Sequence, residues 1–142
     1  MPTLFTKIID GDIPGRFVWR QDDIVAFLTI NPITPGHTLV VPVAEVDHWL
    51  DLDPTLATRC FEVAQVIGRA QMAAFTPTRI GLIIAGLEVP HTHLHLIPID
   101  SEADLSFAKA DPSPAPQALD AAADRLREAL RAAGHGTAVP DT

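Results

Sequence analysis

A strict alternation of histidine with other residues marks one short segment, His91-Thr92-His93-Leu94-His95-Leu96-Ile97. Successive side chains of a β-strand point to opposite faces of a sheet, so this pattern predicts a strand over His91–Pro98. The three imidazoles would then share one face. Thr92, Leu94 and Leu96 would share the other face and pack against helices. The chain must therefore build a fold in which one face of this strand is buried and the other is left for chemistry.

The remaining sequence predicts four more strands and two principal helices, each bounded by a turn or a capping signal. The predicted strands are Phe17–Arg20, Ile24–Leu28, His37–Val41 and Ile80–Ala85. The predicted helices are a short one at Thr3–Asp10 and the principal ones at Asp53–Phe75 and Leu119–Ala133. Because Ile80–Ala85 is almost wholly apolar, we expect both of its faces to be covered. Together these elements predict an α+β fold with about five mostly antiparallel strands.

The length of the chain, 142 residues, fits a single domain with one core. We expect residues 1–110 to form the part that carries the histidines. Residues 111–142 would add a proline-rich connection, the last helix and a loose tail to the same domain. The N-terminal segment lacks the cationic start and long apolar run of a signal peptide, and no apolar run reaches the length of a membrane helix. A cytoplasmic protein is therefore expected.

The charge and cysteine content exclude several classes of function. Asp and Glu number 18 against 10 Lys and Arg, which gives a net charge of −8. A nucleic-acid polymer or an anionic membrane requires a basic face, so neither is expected as the main partner. Cys60 is the only cysteine, which excludes an internal disulfide and a cysteine-built zinc site. Its apolar neighbours predict a buried thiol.

The histidine cluster allows three interpretations. Histidine could simply fill a polar outer face, but three imidazoles give a strand no special stability. A metal site is the second interpretation. At about 3.3 Å per residue the outer Cα atoms lie roughly 13 Å apart, too far for one ion to bind all three. Two neighbouring histidines with His37 as a third ligand could hold a metal. The third interpretation is covalent catalysis.

Covalent catalysis needs a neutral imidazole with one nitrogen free and the other held as a hydrogen-bond donor. Neighbouring imidazoles can orient this nucleophile, donate hydrogen bonds to phosphate oxygens and protonate a leaving group. His93 has a histidine on each side within the alternating segment. The sequence therefore favours His93 as the nucleophile.

The segment His91–Ile97 resembles the signature of the histidine triad (HIT) family, in which histidine alternates with apolar residues on one strand. Phe5–Pro14 resembles the first helix and turn of that family. The segments Ala26–Pro32 and Pro35–Pro42 resemble its central loop and strand. The resemblance covers roughly residues 4–98 and is closest to the Hint-like branch. It implies a homodimer of α+β subunits, with residues 1–110 as the HIT-like catalytic part.

The resemblance also implies a function and the residues that perform it. Family members bind nucleotides and attack the α-phosphorus, so His93 would form a nucleotidyl-histidine intermediate that water hydrolyses. His95 would contact the phosphate, while His91 and His37 would hold the orientation and tautomer of the nucleophile. Nucleotide-binding candidates by the same resemblance are Ile24, Phe27, Thr29, Asn31, Gly86 and Glu88. No cofactor is implied.

Three departures from the family pattern bear on the site. Many bacterial relatives carry Cys-x-x-Cys near the start for zinc, whereas Thr3 and Thr6 stand there in this chain. His48 matches one remaining zinc ligand but binds nothing firmly alone, so no structural zinc is predicted. Thr29 replaces an acidic or amide residue that touches the ribose. The loop Ile84–Pro90 is shortened and brings Glu88 to a position where a carboxylate would repel a phosphate.

These observations predict an enzyme, and two alternatives remain beside it. The first hypothesis is a nucleotide hydrolase or nucleotidyl transferase that acts on nucleoside phosphoramidates, with dinucleoside polyphosphates as another substrate class. The second is a nucleotide-binding or regulatory module with little turnover, which the altered loop Ile84–Pro90 supports. The third is the metal protein that uses His37 and two histidines of the triad.

Overall fold

The computed structural model describes residues 1–142 and confirms the predicted α+β fold with five antiparallel strands. The helices are α1 (Leu4–Ile9), α2 (Pro54–Phe75) and α3 (Pro116–Ala132). The strands are β1 (Phe17–Arg20), β2 (Ile24–Leu28), β3 (Thr38–Pro42), β4 (Arg79–Ile83) and β5 (Leu94–Ile99). Single turns of 3-10 helix cover Trp49–Asp51, Glu102–Asp104, Phe107–Lys109 and Gly136–Ala138.

Helices α1 and α2 begin where the sequence places capping side chains. The side chain of Thr3 accepts a hydrogen bond from the Thr6 amide at the start of α1, and Asp53 accepts one from Thr55 at the start of α2. These side chains satisfy backbone donors that have no partner within the first turn. Beyond α3, Gly134 has a φ of +95°, a conformation that glycine adopts without strain.

The sheet has the strand order β1-β2-β3-β5-β4. β1 and β2 form the predicted hairpin, with Trp19 opposite Ala26. β5 lies between β3 and β4, where His95 faces Leu39 on one neighbour and Ile83 on the other. Hydrogen bonding on both sides fixes the direction of the His95 side chain.

Alternation along the strands separates two apolar clusters, one on each face of the sheet. The helix-facing cluster joins β-strand residues to α2 and α3; its strand members include Ile24, Ala26, Leu28, Val40, Leu94 and Leu96. The cluster on the opposite face consists of Phe5, Phe17, Val25, Phe27, Leu39 and Val41. The predicted burial of Leu94 and Leu96 under the helices is confirmed. His95 lies opposite Leu39 and shares the second face, which we call the histidine face.

Helix α2 covers much of the helix-facing cluster. Its buried residues recur at helical spacing and are Cys60, Val63, Ala64, Ile67, Ala70 and Gln71. The predicted burial of Cys60 is confirmed, and that burial raises the pKa of its thiol to about 11, with a smaller contribution from the Asp23 carboxylate. None of the helices combines the length and the apolar composition that crossing a bilayer requires.

β4 is an edge strand of the sheet. The prediction that both faces of this apolar run are covered is wrong, because Leu82 is exposed. Leu82 in β4 is 39 % exposed, and Phe61 and Met72 on α2 are also exposed. An apolar run indicates that the side chains of a strand avoid water. It does not reveal whether other residues of the same chain bury them. The outer edge of β4 has no neighbouring strand, and its Leu82 side chain is only partly covered.

The C-terminal segment packs against the core, so the expectation of a loose tail is wrong. Ala138 and Val139 are buried within the helix-facing cluster. The ring of His135 lies against Trp19, with centroids 5.7 Å apart, and Arg131 pairs with the Asp141 carboxylate at 3.1 Å. Two small apolar side chains in a polar segment suffice to hold it, because the core beneath leaves room for them.

Candidate active site

The three histidines of the alternating segment adjoin one another, but only His95 belongs to a strand. β5 begins at Leu94, so the strand start predicted at His91 is wrong. Thr92 instead bonds to the Val46 carbonyl through both its amide and its hydroxyl, at 2.7 and 2.8 Å. The rings of His93 and His95 still have centroids 4.8 Å apart. His91 is fully buried and therefore supports the site from beneath its surface.

The backbone carbonyl of His91 fixes the tautomer of His93. Nδ1 of His93 lies 2.7 Å from that oxygen. A carbonyl oxygen only accepts hydrogen bonds, so Nδ1 carries the hydrogen and the neutral ring has its lone pair on Nε2. Nε2 has no protein partner and is reached by solvent. This arrangement is the one that an imidazole nucleophile requires.

A second chain of hydrogen bonds fixes the tautomer of His95. The Ile33 amide donates to Nδ1 of His37 at 3.0 Å, so a neutral His37 carries its hydrogen on Nε2. That hydrogen is donated to Nδ1 of His95, at 2.9 Å. A neutral His95 consequently carries its own hydrogen on Nε2. His95 can thus donate a hydrogen bond to a group that is bound beside His93.

Burial keeps these imidazoles neutral near pH 7. It lowers the pKa of His37 to about 3, with smaller contributions from His95 and His93, and that of His95 to about 4, with a contribution from His93. Burial also lowers the pKa of His93. The bond to the His91 carbonyl and the Glu88 carboxylate oppose this effect. A neutral ring at His93 keeps the lone pair on Nε2 available for attack.

The region beside His91 does not fit a zinc ion. Thr3 Oγ1 lies 2.7 Å from Nδ1 of His91, and Thr6 Oγ1 donates to Oε1 of Glu45 at 2.5 Å. Neutral hydroxyls are poor zinc ligands compared with thiolate, imidazole and carboxylate. His48 is exposed and accepts from the Leu50 amide instead of turning toward this cluster.

The alternative of a metal held by His37 and two triad histidines is also wrong for this geometry. The facing nitrogens of His37 and His95 are hydrogen-bonded to each other, and Nδ1 of His93 bonds to a carbonyl. No three His, Cys, Asp or Glu side chains converge on a common point. These histidines are arranged to share hydrogens among themselves.

The candidate nucleotide residues divide between the two faces of the sheet. Phe27 is buried on the histidine face, whereas Ile24 is fully buried in the helix-facing cluster. Ile24 is therefore wrong as a pocket residue, because an odd spacing on β2 puts it on the opposite face. Thr29 accepts from the Asn31 amide at 3.2 Å, and the Asn31 side chain donates to the Asp111 carbonyl.

Two further candidates lie in the loop after β4. Gly86 has a φ of +78°, and Glu88 is exposed. The negative charge of Glu88 raises the pKa of His93, although burial lowers that pKa overall. The loop therefore brings a negative charge toward the His93 imidazole.

Three residues at the site were missed by the sequence analysis. Phe5 packs edge-on against the ring of His93, with centroids 4.8 Å apart, and Phe107 packs against His95 at 5.0 Å. No local sequence signal marks either aromatic residue as part of the site. Gln71 is fully buried and donates to the Gly36 and Leu96 carbonyls, both at 2.9 Å. The sequence did contain a signal for this residue, because a polar side chain on the buried face of α2 needs hydrogen-bond partners.

Comparisons with known proteins agree with this architecture. The family profile described as HIT domain matches residues 10–102. A Bacillus subtilis protein named Protein hit is 36 % identical over 100 residues, which cover 67 % of this chain and 69 % of that protein. A Schizosaccharomyces pombe bis(5'-nucleosyl)-tetraphosphatase (asymmetrical) is 37 % identical over 110 residues, covering 70 % and 59 %.

A solved structure extends the agreement to three dimensions. The zinc-bound histidine triad family protein of Mycobacterium smegmatis superposes with a TM-score of 0.79 at 27 % identity, covering 92 % of this chain and 94 % of that one. The profile match spans the five strands, the three alternating histidines and α2. The chain therefore belongs to the HIT domain family, as its alternating histidines predict.

Proposed function

We propose that this protein is a nucleotide hydrolase or nucleotidyl transferase that attacks the α-phosphorus of nucleoside phosphoramidates. The observation that carries the proposal is the hydrogen bond from Nδ1 of His93 to the His91 carbonyl. It leaves the lone pair on Nε2, which is open to solvent beside a second histidine able to donate from Nε2.

The proposed reaction has two displacements at phosphorus. Nε2 of His93 forms a bond to the α-phosphorus while the phosphorus–nitrogen bond breaks. The electron pair leaves with the amine nitrogen, which takes up a proton from the solvent. Water then attacks the nucleotidyl-histidine, releasing the nucleoside monophosphate and restoring His93. His95 donates a hydrogen bond to a phosphate oxygen throughout, which stabilises charge that develops in the transition state.

The nucleoside part is proposed to bind along the segment that joins β2 to β3. Phe27 supplies apolar surface on the histidine face, and Thr29 keeps a hydroxyl hydrogen that can be donated to a ribose oxygen. Asn31 holds the end of this segment through the Asp111 carbonyl. Gly86 and Glu88 would lie on the leaving-group side, because Glu88 acts electrostatically on His93.

A homodimer in the cytoplasm is proposed as the working form. Leu82 at the uncovered edge strand β4 and Phe61 and Met72 on α2 are exposed apolar residues. An unpaired strand edge beside apolar surface is a template for a second strand. Two copies joined at β4 in a two-fold arrangement would cover both features at once.

A second candidate function is the hydrolysis of dinucleoside polyphosphates. The tetraphosphatase name of the Schizosaccharomyces pombe relative favours it. The nucleophile and the attacked phosphorus would be the same, while the leaving group would be a nucleotide and not an amine. The negative charge of Glu88 near His93 argues against that leaving group, because a polyphosphate carries more negative charge than an amine.

The test is intact-protein mass spectrometry after incubation with adenosine 5'-phosphoramidate. We expect AMP release by the wild type, an adenylyl adduct on quenching, and neither product with His93→Ala. His135→Ala is the matched control, because His135 packs against Trp19 away from the site. Nucleotide binding without adduct or AMP would instead support a regulatory module. Faster hydrolysis of a dinucleoside tetraphosphate would support the second candidate.

A further inference from the structure

Glu45 is joined to the buried histidine of the triad by a group of hydrogen bonds that spans distant parts of the sequence. Oε1 of Glu45 accepts from the Thr3 amide at 2.9 Å and from the Thr6 hydroxyl at 2.5 Å. Thr3 Oγ1 in turn lies 2.7 Å from Nδ1 of His91. We call Thr3, Thr6 and Glu45 the N-terminal clamp.

The clamp fixes both ends of the His91 ring. Nε2 of His91 lies 2.7 Å from the Pro42 carbonyl at the end of β3, so this nitrogen must donate. Nδ1 is left to the Thr3 hydroxyl. His91 is fully buried, and every polar atom of its ring has a partner. The ring therefore has one orientation that satisfies its hydrogen bonds.

The same helix contacts the nucleophile directly. Thr3 caps α1, and Phe5 in that helix packs against the rings of both His91 and His93, with centroids 5.8 and 4.8 Å apart. The His91 carbonyl accepts the Nδ1 hydrogen of His93. A shift of α1 would thus move both the carbonyl that sets the tautomer and the ring that abuts the nucleophile.

We propose that Glu45 is a positioning residue that aligns His93 by holding α1 and His91 through Thr3 and Thr6. This inference rests on the proposed function for its catalytic consequence. Glu45 is exposed and does not belong to either apolar cluster, so its contribution to the packing of the core is small. Its removal should act on the rate of the chemical step more than on substrate binding.

The test compares Glu45→Ala, Glu45→Gln, Thr6→Val and Thr6→Ser in the full chain. Glu45→Ala and Thr6→Val should lower kcat for adenosine 5'-phosphoramidate by about 10- to 100-fold with little change in KM, because misalignment acts on the reacting geometry. Glu45→Gln still presents an amide oxygen, and Thr6→Ser still presents a hydroxyl, so both should retain most of the wild-type rate. Glu128→Ala, which removes an exposed carboxylate of α3, is the control.

A spectroscopic measurement separates this proposal from the proposed function. In protein labelled with ¹⁵N-histidine, Glu45→Ala and Thr6→Val should shift the Nδ1 resonance of His91 and accelerate solvent exchange of the Nδ1 hydrogen of His93. These changes are expected even if the wild type hydrolyses no phosphoramidate. Unchanged ring resonances in both variants would overturn the positioning role. If the wild type is active, equal rates for Glu45→Ala and Glu45→Gln would overturn it as well.

Discussion

His37 and His95 share one hydrogen, because Nε2 of His37 lies 2.9 Å from Nδ1 of His95 and the Ile33 amide occupies the other nitrogen of His37. Each bond in this series fixes the next tautomer. The series ends at Nε2 of His95. This nitrogen carries a hydrogen because Nδ1 of the same ring accepts one from His37. The imidazoles of His37 and His95 are therefore neutral near pH 7, because burial lowers the pKa of both.

Acid should destabilise the protein through His37. Its folded-state pKa of about 3 lies below the unfolded value near 6.5, so protons bind preferentially to the unfolded chain. Stability is present above pH 6.5 and is lost as the pH falls through 6.5 toward the folded-state pKa. Between pH 6.5 and 4 we expect a loss on the order of 3 kcal/mol from this residue. Urea unfolding of wild type and His37→Gln at several pH values measures it; equal pH dependence in both would contradict the assignment.

Glu88→Gln should shift the acidic limb of the pH–rate profile to lower pH. The Glu88 carboxylate raises the pKa of His93, although burial lowers it overall. Removing this negative charge favours the neutral, nucleophilic form of His93 at lower pH. The measurement is kcat/KM against pH, with Glu128→Gln as a control on α3. No shift would show that the two groups do not interact, and a shift toward higher pH would contradict the expected sign of their interaction.

Leu94→Asp should unfold the chain, even though its two neighbours, His93 and His95, belong to the proposed active site. Leu94 is 3 % exposed and belongs to the helix-facing cluster. A buried carboxylate without a partner costs several kcal/mol, comparable with the total stability of about 5–15 kcal/mol of a typical domain. Circular dichroism during thermal unfolding detects the loss. Ile30→Asp, at a 68 % exposed position, should melt near the wild type.

Leu82→Glu should yield a monomer if β4 forms the interface between two copies. Leu82 lies on the edge strand, and a charge there would be buried without a partner in the dimer. Sedimentation velocity distinguishes the two states. The control is Leu50→Glu, which alters another exposed leucine on the turn before α2. A wild-type monomer at micromolar concentration would contradict the proposed dimer.

Much of the site could be predicted because its chemistry lies in one short segment. The alternation from His91 to Ile97 is enough to nominate His93 with a histidine on each side. The partners that set the tautomers could not be predicted in this way. The acceptor for His93 is a backbone carbonyl, and the donor to His37 is the backbone amide of Ile33. Every residue other than proline has both of these backbone groups, so no residue type in the sequence identifies them as partners.

Ile24 and the C-terminal tail show why other predictions failed. Ile24 belongs to a strand identified correctly, yet its face depends on the register of β2 against β3, which pairs Ile24 with Pro42. The tail is anchored by Ala138 and Val139, whose burial depends on the space between α3 and the sheet. Both outcomes arise from packing between residues far apart in the chain.

The sequence by itself determined the elements, the helix caps and the identity of the histidines, because propensity, periodicity and capping act within a few residues. Tertiary structure alone decided which nitrogen of each imidazole is free, which strand forms the edge, and which carboxylates approach the site. Hydrogen bonds such as that between Thr3 and His91 join positions 88 residues apart. Such contacts exist only after the sheet and α1 have packed together, so no local pattern encodes them.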